Sequence, residues 1–309
     1  MPENQKPVES LGAFIDRVST LRKSWGLPRH KELWFRGESR DYGETLLRPE
    51  LYRPTGAGVP LKPTWKLLEI ENDLYNEFQR SAVERSNEKT SEEDWDWDSY
   101  FLMQHHSGPT RLLDWSDGAL MALHCALRNK ADDRHVARVY VLEPRRLSEQ
   151  LKQLADVKMI EHDWKAYVAK HPSYGLREDE WEDSYLPADE EELAELNVPR
   201  PPLVLQTDLI TRRIAAQPSR FIVLGTEPNW LSDEFEKTNS TIQLIEIAAS
   251  SRVQIRQELR DCGVTESVIY PDLDGLGREM RQLSDDRRAA TEENSMKHCS
   301  ESRPYCLDH

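Results

Sequence analysis

The chain has 309 residues, of which 38% are hydrophobic and 31% are charged, and its formal net charge at pH 7 is −15. Nine Trp residues supply large apolar surfaces for a core, which excludes a disordered chain. No apolar run reaches the roughly 18 residues that a spanning helix needs, and the negative charge repels phosphate backbones, so a membrane protein and a general nucleic-acid coat are also excluded.

The first third of the chain predicts helices around one short strand. Apolar residues recur with helical spacing over 11–25, and Ser10 is a suitable N-cap. The run ELWFRG predicts a strand that ends at Gly37. Helical patterning returns over 65–85 and again in a segment that ends near His106. The pair Gly108-Pro109 stops this second helix.

The rest of the chain mixes strands and helices without a strict alternation. Strands are predicted in the runs RLLDW, ARVYVLEP, LVLQ, RFIVLG and TIQLIEI, and helices in SDGALMALHCALRN, in TDLITRRIAAQ, over 250–262 and after YPDL. This order favours a single α+β domain over a doubly wound sheet. An acidic insertion is predicted at about 170–200, and residues 177–197 are expected to be exposed and outside the core.

The four Cys residues predict a reducing compartment, because they are too few for a disulfide scaffold. The first residues, MPENQKPVES, lack the basic and apolar regions of a signal peptide, so a cytoplasmic protein without a membrane partner is expected. Two Cys and two His lie in the C-terminal tail, but their spacing differs from that of usual zinc sites. Incidental composition is preferred there and no metal is predicted.

Arg36 is unusual because it stands in the middle of an apolar strand. An unpaired buried guanidinium is costly in free energy, so Arg36 needs a partner. That partner is either an acidic residue of the chain, in a structural ion pair, or the phosphate or carboxylate of a ligand, which the planar guanidinium suits. The sequence leaves both interpretations open.

The segment QHHSGPTRLLDWS, from Gln104 to Ser116, concentrates titratable and hydrogen-bonding groups around a strand that leads into a helix. The N-terminus of such a helix favours anions. His105 and His106 are weighed as metal ligands, as a proton carrier and as groups that bond the local backbone. Adjacent helical residues point in different directions, which disfavours a shared metal ion.

Two further polar residues also have two interpretations each. Asp114 either contributes to a ligand site or pairs with Arg36 or Arg111. Gln217, which precedes the strand RFIVLG, either orients a ligand hydroxyl or caps a loop.

These segments together resemble the FRG domain family. The motifs occur in the order typical of the family: WFRG, the QHH…GPTRLLDWS block, the Gln217…Phe221 pair and the element YPDLDGL. The resemblance covers about residues 10–280. Two glycines that are usual in the family are replaced by Ser107 and Ser219. The FRG domain is therefore expected over residues 1–283, and the polar composition of 284–309 predicts a flexible tail.

The FRG pattern is in turn similar to a remote version of the ADP-ribosyltransferase core. That likeness implies a mixed, mostly antiparallel, split sheet flanked by helices. In that core a first-strand Arg or His holds NAD, a second strand carries a Ser/Thr-rich step before an Ala-rich helix, and a third strand begins with Glu. Arg36, Asp114-Trp115-Ser116 and Gln217 occupy these places, and Gln217 departs because an amide carries no charge and cannot act as a base.

The same likeness implies which residues form the site. The expected catalytic residues are Arg36, His105, His106 and Gln217, with one of the two His as proton acceptor. Trp34, Phe35 or Trp115 would stack the nicotinamide. The expected NAD-binding residues are Arg36, Gly37, Thr110, Arg111, Asp114, Trp115 and Ser116.

The implied function is that of an NAD-dependent ADP-ribosyltransferase-like enzyme, an intracellular toxin or anti-phage defence effector. NAD would be its substrate, a protein or nucleic acid its acceptor, and an antitoxin or regulatory protein a further partner. A non-catalytic FRG module that binds a nucleotide or a partner is the alternative, and a metal-independent nuclease is a weaker one. Gln217 stands where a transferase has Glu. This amide is the feature that distinguishes the enzyme from the non-catalytic module.

Overall fold

The computed structural model describes residues 6–56, 58–85, 95–171, 179–196, 198–205, 219–238 and 241–301. The strands within them are β1 (Trp34–Glu38), β2 (Leu112–Ser116), β3 (Ala137–Leu142), β4 (Leu203–Val204), β5 (Ser219–Val223) and β6 (Ile242–Ile247). The helices are α1 (Leu11–Ser24), α2 (Thr64–Arg85), α3 (Trp95–His105), α4 (Ala119–Leu127), α5 (Pro144–Leu151), α6 (Ala155–Val168), α7 (Glu190–Glu195), α8 (Trp230–Thr238), α9 (Arg252–Asp261), α10 (Glu266–Ile269) and α11 (Leu273–Glu301).

Local signals in the sequence account for many of these boundaries. Ser10 caps α1 by accepting a hydrogen bond from the backbone N–H of Ala13. Pro144 lies in the first turn of α5, where its missing N–H has no helical partner to lose. Strand β1 continues one residue beyond the predicted end at Gly37. The helix predicted in TDLITRRIAAQ lies outside the described residues.

The six strands form one sheet in the order β4-β5-β2-β1-β3-β6. Each pairing between neighbouring strands is antiparallel, and a bridge between Val8 and Ile247 adds a parallel contact. With helices around an antiparallel sheet, the α+β class with a mixed, mostly antiparallel sheet is confirmed. The closer likeness to ADP-ribosyltransferases stays a prediction.

The sheet has a gap between β1 and β2. These two strands share one register pair, Phe35 with Ser116, whereas β1 pairs with β3 along all five of its residues and β2 does the same with β5. Backbone groups of β1 and β2 beyond the shared pair therefore need partners other than each other.

Apolar side chains cover both faces of the sheet. One face carries Trp34, Leu113, Trp115 and Tyr140, and the loop between β1 and α2 packs on it through residues such as Tyr52. The other face carries Leu112, Phe221 and Val223, which pack with Tyr100 and Phe101 of α3. Helix α4 lies directly on β1, since a Cβ atom on Gly37 would lie 1.9 Å from the carbonyl oxygen of Ala122.

A buried ion pair joins α2 to the start of β2. The guanidinium of Arg111 bonds the carboxylate of Glu71 and donates from Nη2 to the carbonyl oxygen of Tyr185 at 2.6 Å. Tyr100 also bonds Glu71. Burial by itself lowers the pKa of Arg111. The charge of Glu71 and the nearby Tyr hydroxyls raise the pKa by more than burial lowers it, so the net shift is upward.

The prediction that residues 177–197 lie outside the core is wrong for the described part, residues 179–196. Ser184 and Tyr185 are buried, and the Tyr185 ring belongs to the cluster beneath α3. The indole of Trp97 donates to Asp183 at 2.8 Å, and Leu196 packs against α6. The acidic side chains are spaced so that a few apolar residues between them still reach the core.

The chain divides into two compact units, residues 1–252 and 253–309. The second unit contains α10, α11 and most of α9, and Arg278 of α11 pairs with the buried Glu266 of α10 at 2.7 Å. Helix α11 continues through 284–301, which the sequence assigns to the tail. The boundary at 283 stays a prediction. No helix among the described residues combines the length and the apolar character needed to cross a membrane.

Candidate functional site

Arg36 lies at the gap between β1 and β2. Its Nη1 donates to the backbone carbonyl oxygen of Asp114 at 2.7 Å, which is a group that the β1–β2 ladder leaves without a strand partner. Its Nε donates to Glu38 at 3.3 Å. The side chain is 16% exposed, so the guanidinium is fixed by the chain and still reaches solvent. Both interpretations of Arg36 from the sequence are thus compatible with its position.

Arg53 joins Arg36 at the same carboxylate. Oε1 of Glu38 is 3.3 Å from Arg36 and 3.9 Å from Arg53, and Glu38 is almost fully buried. Burial lowers the pKa of Arg53, and the positive charge of Arg36 lowers it further. The two guanidiniums thus share one buried carboxylate, and the charge of Glu50 also acts on Arg53. Guanidiniums suit phosphate or carboxylate groups. We refer to Arg36 and Arg53 as the arginine pair.

A groove of about 570 Å³ is lined in part by Tyr42, whose ring is contacted by Arg53 of the arginine pair. The Arg53 guanidinium is 5.4 Å from the centre of the Tyr42 ring, and that of Arg40 is 5.3 Å from it. The volume is within the range of small-molecule sites. The groove is lined by Arg40, Asp41, Tyr42, Thr45, His135 and Arg138, among others.

Asp114 presents a carboxylate to solvent from an interior strand. It lies at the centre of β2, between β1 and β5, and is nevertheless exposed. Its Oδ2 accepts a hydrogen bond from Nε2 of Gln104 at 2.7 Å. The surrounding protein raises the pKa of Asp114, while Arg36, the Gln104 bond and His105 lower it without cancelling the effect. Perturbed carboxyl groups of this kind are concentrated at functional sites.

Gln104 is held from its other end by Thr110. The Thr110 hydroxyl donates to Oε1 of Gln104 and accepts from the backbone N–H of Leu112 at 3.1 Å. Thr110 is fully buried, so the amide of Gln104 has one fixed orientation towards Asp114. The structure thus gives Thr110 a positioning role behind Asp114.

The last turn of α3, which carries Gln104, ends in a left-handed residue. Ser107 has φ 64°, and the bonds from Gly108 N–H to the Met103 carbonyl and from Ser107 N–H to the Gln104 carbonyl form a Schellman motif. Glycine adopts this conformation without strain, whereas a serine does not. A glycine at position 107 would therefore remove this strain.

His105 and His106 lie at the exposed end of the same helix. Their rings are 5.1 Å apart and meet edge to face. His105 is close enough to Asp114 to lower its pKa. Within the described part of the chain, no group of three or more His, Cys, Asp or Glu could hold a metal ion.

Several predicted site residues are instead placed in the core. Arg111 is enclosed in the ion pair with Glu71, so its assignment as an NAD-binding residue needs correction. Trp34, Phe35 and Trp115 are buried in the sheet and offer no free ring face for stacking.

Two more of the predicted residues have visible local roles. Gly37 accommodates α4 against β1. The Ser116 hydroxyl accepts from the N–H of Gly118, just before α4. Gln217 lies outside the described residues, two positions before β5. The site therefore brings together Arg36, Thr110, Asp114 and the end of α3, and adds Glu38, Arg53 and Gln104.

Sequence reasoning assigned no site role to Arg53, Glu38 or Gln104 itself. The charge alternation Arg36-Gly37-Glu38 was a usable signal, because residues two apart in a strand share a face. Arg53 had no such signal, because the loop between β1 and α2 determines where it returns to the sheet.

Comparison with protein-family models identifies one family. Residues 31–135 match the model of the FRG domain, a range that contains the arginine pair, Gln104 and Asp114. Comparisons with curated proteins and with solved structures give no match. The predicted extent of the domain, 1–283, is longer than the matched range and stays a prediction. The chain therefore carries an FRG domain, and its candidate site is built from residues of that domain.

Proposed function

We propose that the candidate site binds NAD and transfers its ADP-ribose to an acceptor. The observation that carries the proposal is a pair of opposite charges at the gap between β1 and β2, the guanidinium of Arg36 and the exposed carboxylate of Asp114. The two side chains leave the sheet on opposite faces, and the guanidinium of Arg36 reaches into the gap itself. NAD has the matching pair, an anionic pyrophosphate and a cationic nicotinamide. The groove beside Tyr42 offers further room for a nucleotide.

The arginine pair suits the pyrophosphate. A guanidinium presents several N–H donors in one plane, and Arg36 is already oriented by Glu38 and by the carbonyl oxygen of Asp114. Such preorganisation lowers the entropy lost on binding. Arg36 would keep its bond to Asp114 and offer its remaining donors to the ligand.

The order of the strands supports the same proposal. The three elements expected from the transferase likeness lie on or next to β1, β2 and β5, and these strands are direct neighbours in the order β5-β2-β1. Residues far apart in the sequence are thereby brought to one region of the sheet.

A non-catalytic nucleotide-binding module is the second candidate, and one observation favours it. The aromatic residues expected to stack the nicotinamide are buried, so stacking must come from elsewhere or be absent. Binding through the arginine pair would survive without stacking, whereas efficient departure of nicotinamide requires a positioned ring.

Calorimetry with NAD and an assay for released nicotinamide separate these candidates. Wild-type protein is expected to bind NAD, more weakly as salt is raised because the contacts are ionic. Arg36→Ala should weaken binding at least about tenfold, roughly the contribution of one charge-assisted hydrogen bond. Arg36→Lys should retain part of the NAD affinity, since Lys keeps the charge but loses the planar set of donors of the guanidinium.

Arg145→Ala is the matched control, because Arg145 is an exposed arginine paired with Glu149 on α5. It should leave NAD binding unchanged. Circular dichroism of each variant shows whether the fold is retained. Wild-type protein that does not bind NAD would contradict the proposal, and binding without release of nicotinamide in the presence of cell lysate would favour the binding module.

The acceptor and the cellular role are part of the proposal. Labelled NAD added to lysate would mark either a protein or a nucleic acid, and nuclease or protease treatment of the product distinguishes them. If the protein is a cytoplasmic toxin or phage-defence effector, its expression should arrest growth, and Arg36→Ala should relieve the arrest. A protein that co-purifies and restores growth would be the antitoxin or regulatory partner.

A further inference from the structure

The transfer reaction needs a proton acceptor, and the usual Glu position holds the neutral Gln217. We propose that Asp114 is the general base of the site and that Gln104, fixed by Thr110, is the residue that positions it. This inference rests on the proposed function. It assigns the basic role to a carboxylate on β2, where the sequence suggested His105 or His106.

Asp114 has the geometry that the role requires. One carboxylate oxygen, Oδ2, is bound by Gln104, and the side chain is exposed, so the carboxylate is oriented and still open to a second molecule. The Thr110–Gln104–Asp114 chain of hydrogen bonds runs from a buried hydroxyl to an accessible oxygen. A general base must lie within hydrogen-bond reach of the proton that it takes, and a fixed orientation favours that.

The two histidines lie at the end of α3 and not on a strand of the sheet. Both are exposed, and the contact between their rings is edge to face. His105 acts on Asp114 through its charge. Its contribution would therefore be to tune the carboxylate, while Asp114 takes the proton.

The proposed step balances as follows. The bond between C1′ of the ribose and the nicotinamide nitrogen breaks, and nicotinamide leaves with the electron pair as a neutral molecule. An acceptor X–H, or water in its absence, forms the new bond to C1′, and its proton passes to the carboxylate of Asp114. Asp114 then releases the proton to solvent, so one NAD and one X–H give ADP-ribosyl-X, nicotinamide and a proton.

The test replaces Asp114 by Asn, which keeps the size of the side chain and an oxygen for Gln104. Nicotinamide release should fall at least about 100-fold, the low end for loss of a general base. NAD affinity, measured by calorimetry, should change far less than the rate. Asp117→Asn is the matched control, because Asp117 is an exposed carboxylate three residues away that pairs with Arg220 at 3.0 Å. The Asp117→Asn variant should release nicotinamide at the wild-type rate.

Gln104→Ala tests the positioning role by a pH profile. The charged groups that act on Asp114 are Arg36 from β1 and His105 from α3, its neighbour on β5 is Phe221, and Gln104 itself is neutral. The Gln104 bond lowers the pKa of Asp114, so its removal should move the acidic limb of the rate profile to higher pH. Carbon NMR of the Asp114 carboxyl should show the same upward shift without NAD.

The outcomes separate this inference from the proposed function. If wild-type protein releases nicotinamide and Asp114→Asn does so equally fast, Asp114 is not the base and the transfer reaction stands. If the double change His105→Ala, His106→Ala alone abolishes release, the base is a histidine. If wild-type protein does not turn NAD over, the transfer reaction and the role of Asp114 are both wrong. An Asp114 titration unchanged in Gln104→Ala overturns the positioning role alone.

Discussion

Asp114 shows how one residue of the candidate site can weaken the fold that holds it. The protein around the carboxyl group disfavours its charged form, and the bond from Gln104 and the charge of Arg36 offset that only in part. The native pKa is therefore above the unfolded value of about 3.9. Keeping Asp114 ionised at neutral pH costs folding free energy, a cost that a site needing a carboxylate accepts.

Asp114→Asn should raise the free energy of unfolding at pH 7 and have little effect near pH 3.9. A raised native pKa means that the native state holds the proton longer, so the wild type loses stability as pH rises from about 3.9 through the native value. Because the side chain is exposed, solvent screens its charge, and the gain at pH 7 should be no more than about 1 kcal/mol. Urea unfolding of both proteins at the two pH values measures it, and a variant less stable at pH 7 contradicts the prediction.

Glu71 has the opposite kind of role, since its charge is needed by the core. Glu71→Gln leaves the guanidinium of Arg111 buried without a compensating charge, and should destabilise the protein by about 3–5 kcal/mol. Glu149→Gln removes the same charge from the exposed pair with Arg145 and should change stability by no more than about 0.5 kcal/mol. Equal losses in the two variants would show that burial is not the cause.

At the scale of elements, the contact between β1 and α4 determines how closely a helix can approach the gap in the sheet. Gly37 lies beneath the carbonyl oxygen of Ala122, and a side chain there would have to displace the helix backbone. The glycine of the FRG sequence is thus explained by packing. It keeps α4 close to β1 and β2.

Gly37→Ala should destabilise the protein by about 3 kcal/mol, because the added Cβ overlaps backbone atoms that cannot move independently. Gly12→Ala is the control: a Cβ at that position of α1 meets only the Ser10 hydroxyl at 4.0 Å. It should instead stabilise by about 0.5–1 kcal/mol, since Ala favours a helix. Thermal and urea unfolding give both values, and a neutral Gly37→Ala would mean that α4 is not held against β1.

The elements were largely predictable from the sequence, while side-chain partners were not. Strong periodicity and clear caps such as Ser10 gave the helices, and Arg36 was identified because a charge within an apolar strand needs a partner. Arg111 was assigned to the ligand site because it lies beside the motif, but its direction depends on Glu71, 40 residues earlier. The burial of Tyr185 was not predicted, because isolated apolar residues in an acidic run show no periodicity.

On the scale of the whole molecule, the sheet is assembled from segments far apart in the chain. The range matched to the FRG domain, 31–135, contains β1 and β2. Strand β1 forms its longer ladder with β3, which begins at Ala137. Strand β2 forms its longer ladder with β5, which begins at Ser219. The gap at the site exists because each of these two strands is anchored mainly to its outer neighbour.

A fragment of residues 31–135 should therefore not fold alone. It would keep the single β1–β2 register pair and lose the ladders that hold both strands, leaving exposed strand edges and apolar faces. Far-ultraviolet circular dichroism and amide NMR spectra of the fragment should show an unfolded or aggregated chain, with the full chain as control. A dispersed spectrum would show that the matched range is an independent folding unit.

Ser107 has a consequence for how the molecule opens. Its left-handed backbone stores strain of roughly 1 kcal/mol in the turn that ends α3, directly beside Gln104. That turn should unravel more often than the rest of the helix, so the amide of Gly108, which bonds the Met103 carbonyl, should exchange with solvent through local opening rather than global unfolding. Ser107→Gly should slow this exchange about fivefold, the factor equivalent to that strain. Each opening would release Gln104 from Asp114, so the frequency of opening would set how long the carboxylate remains oriented.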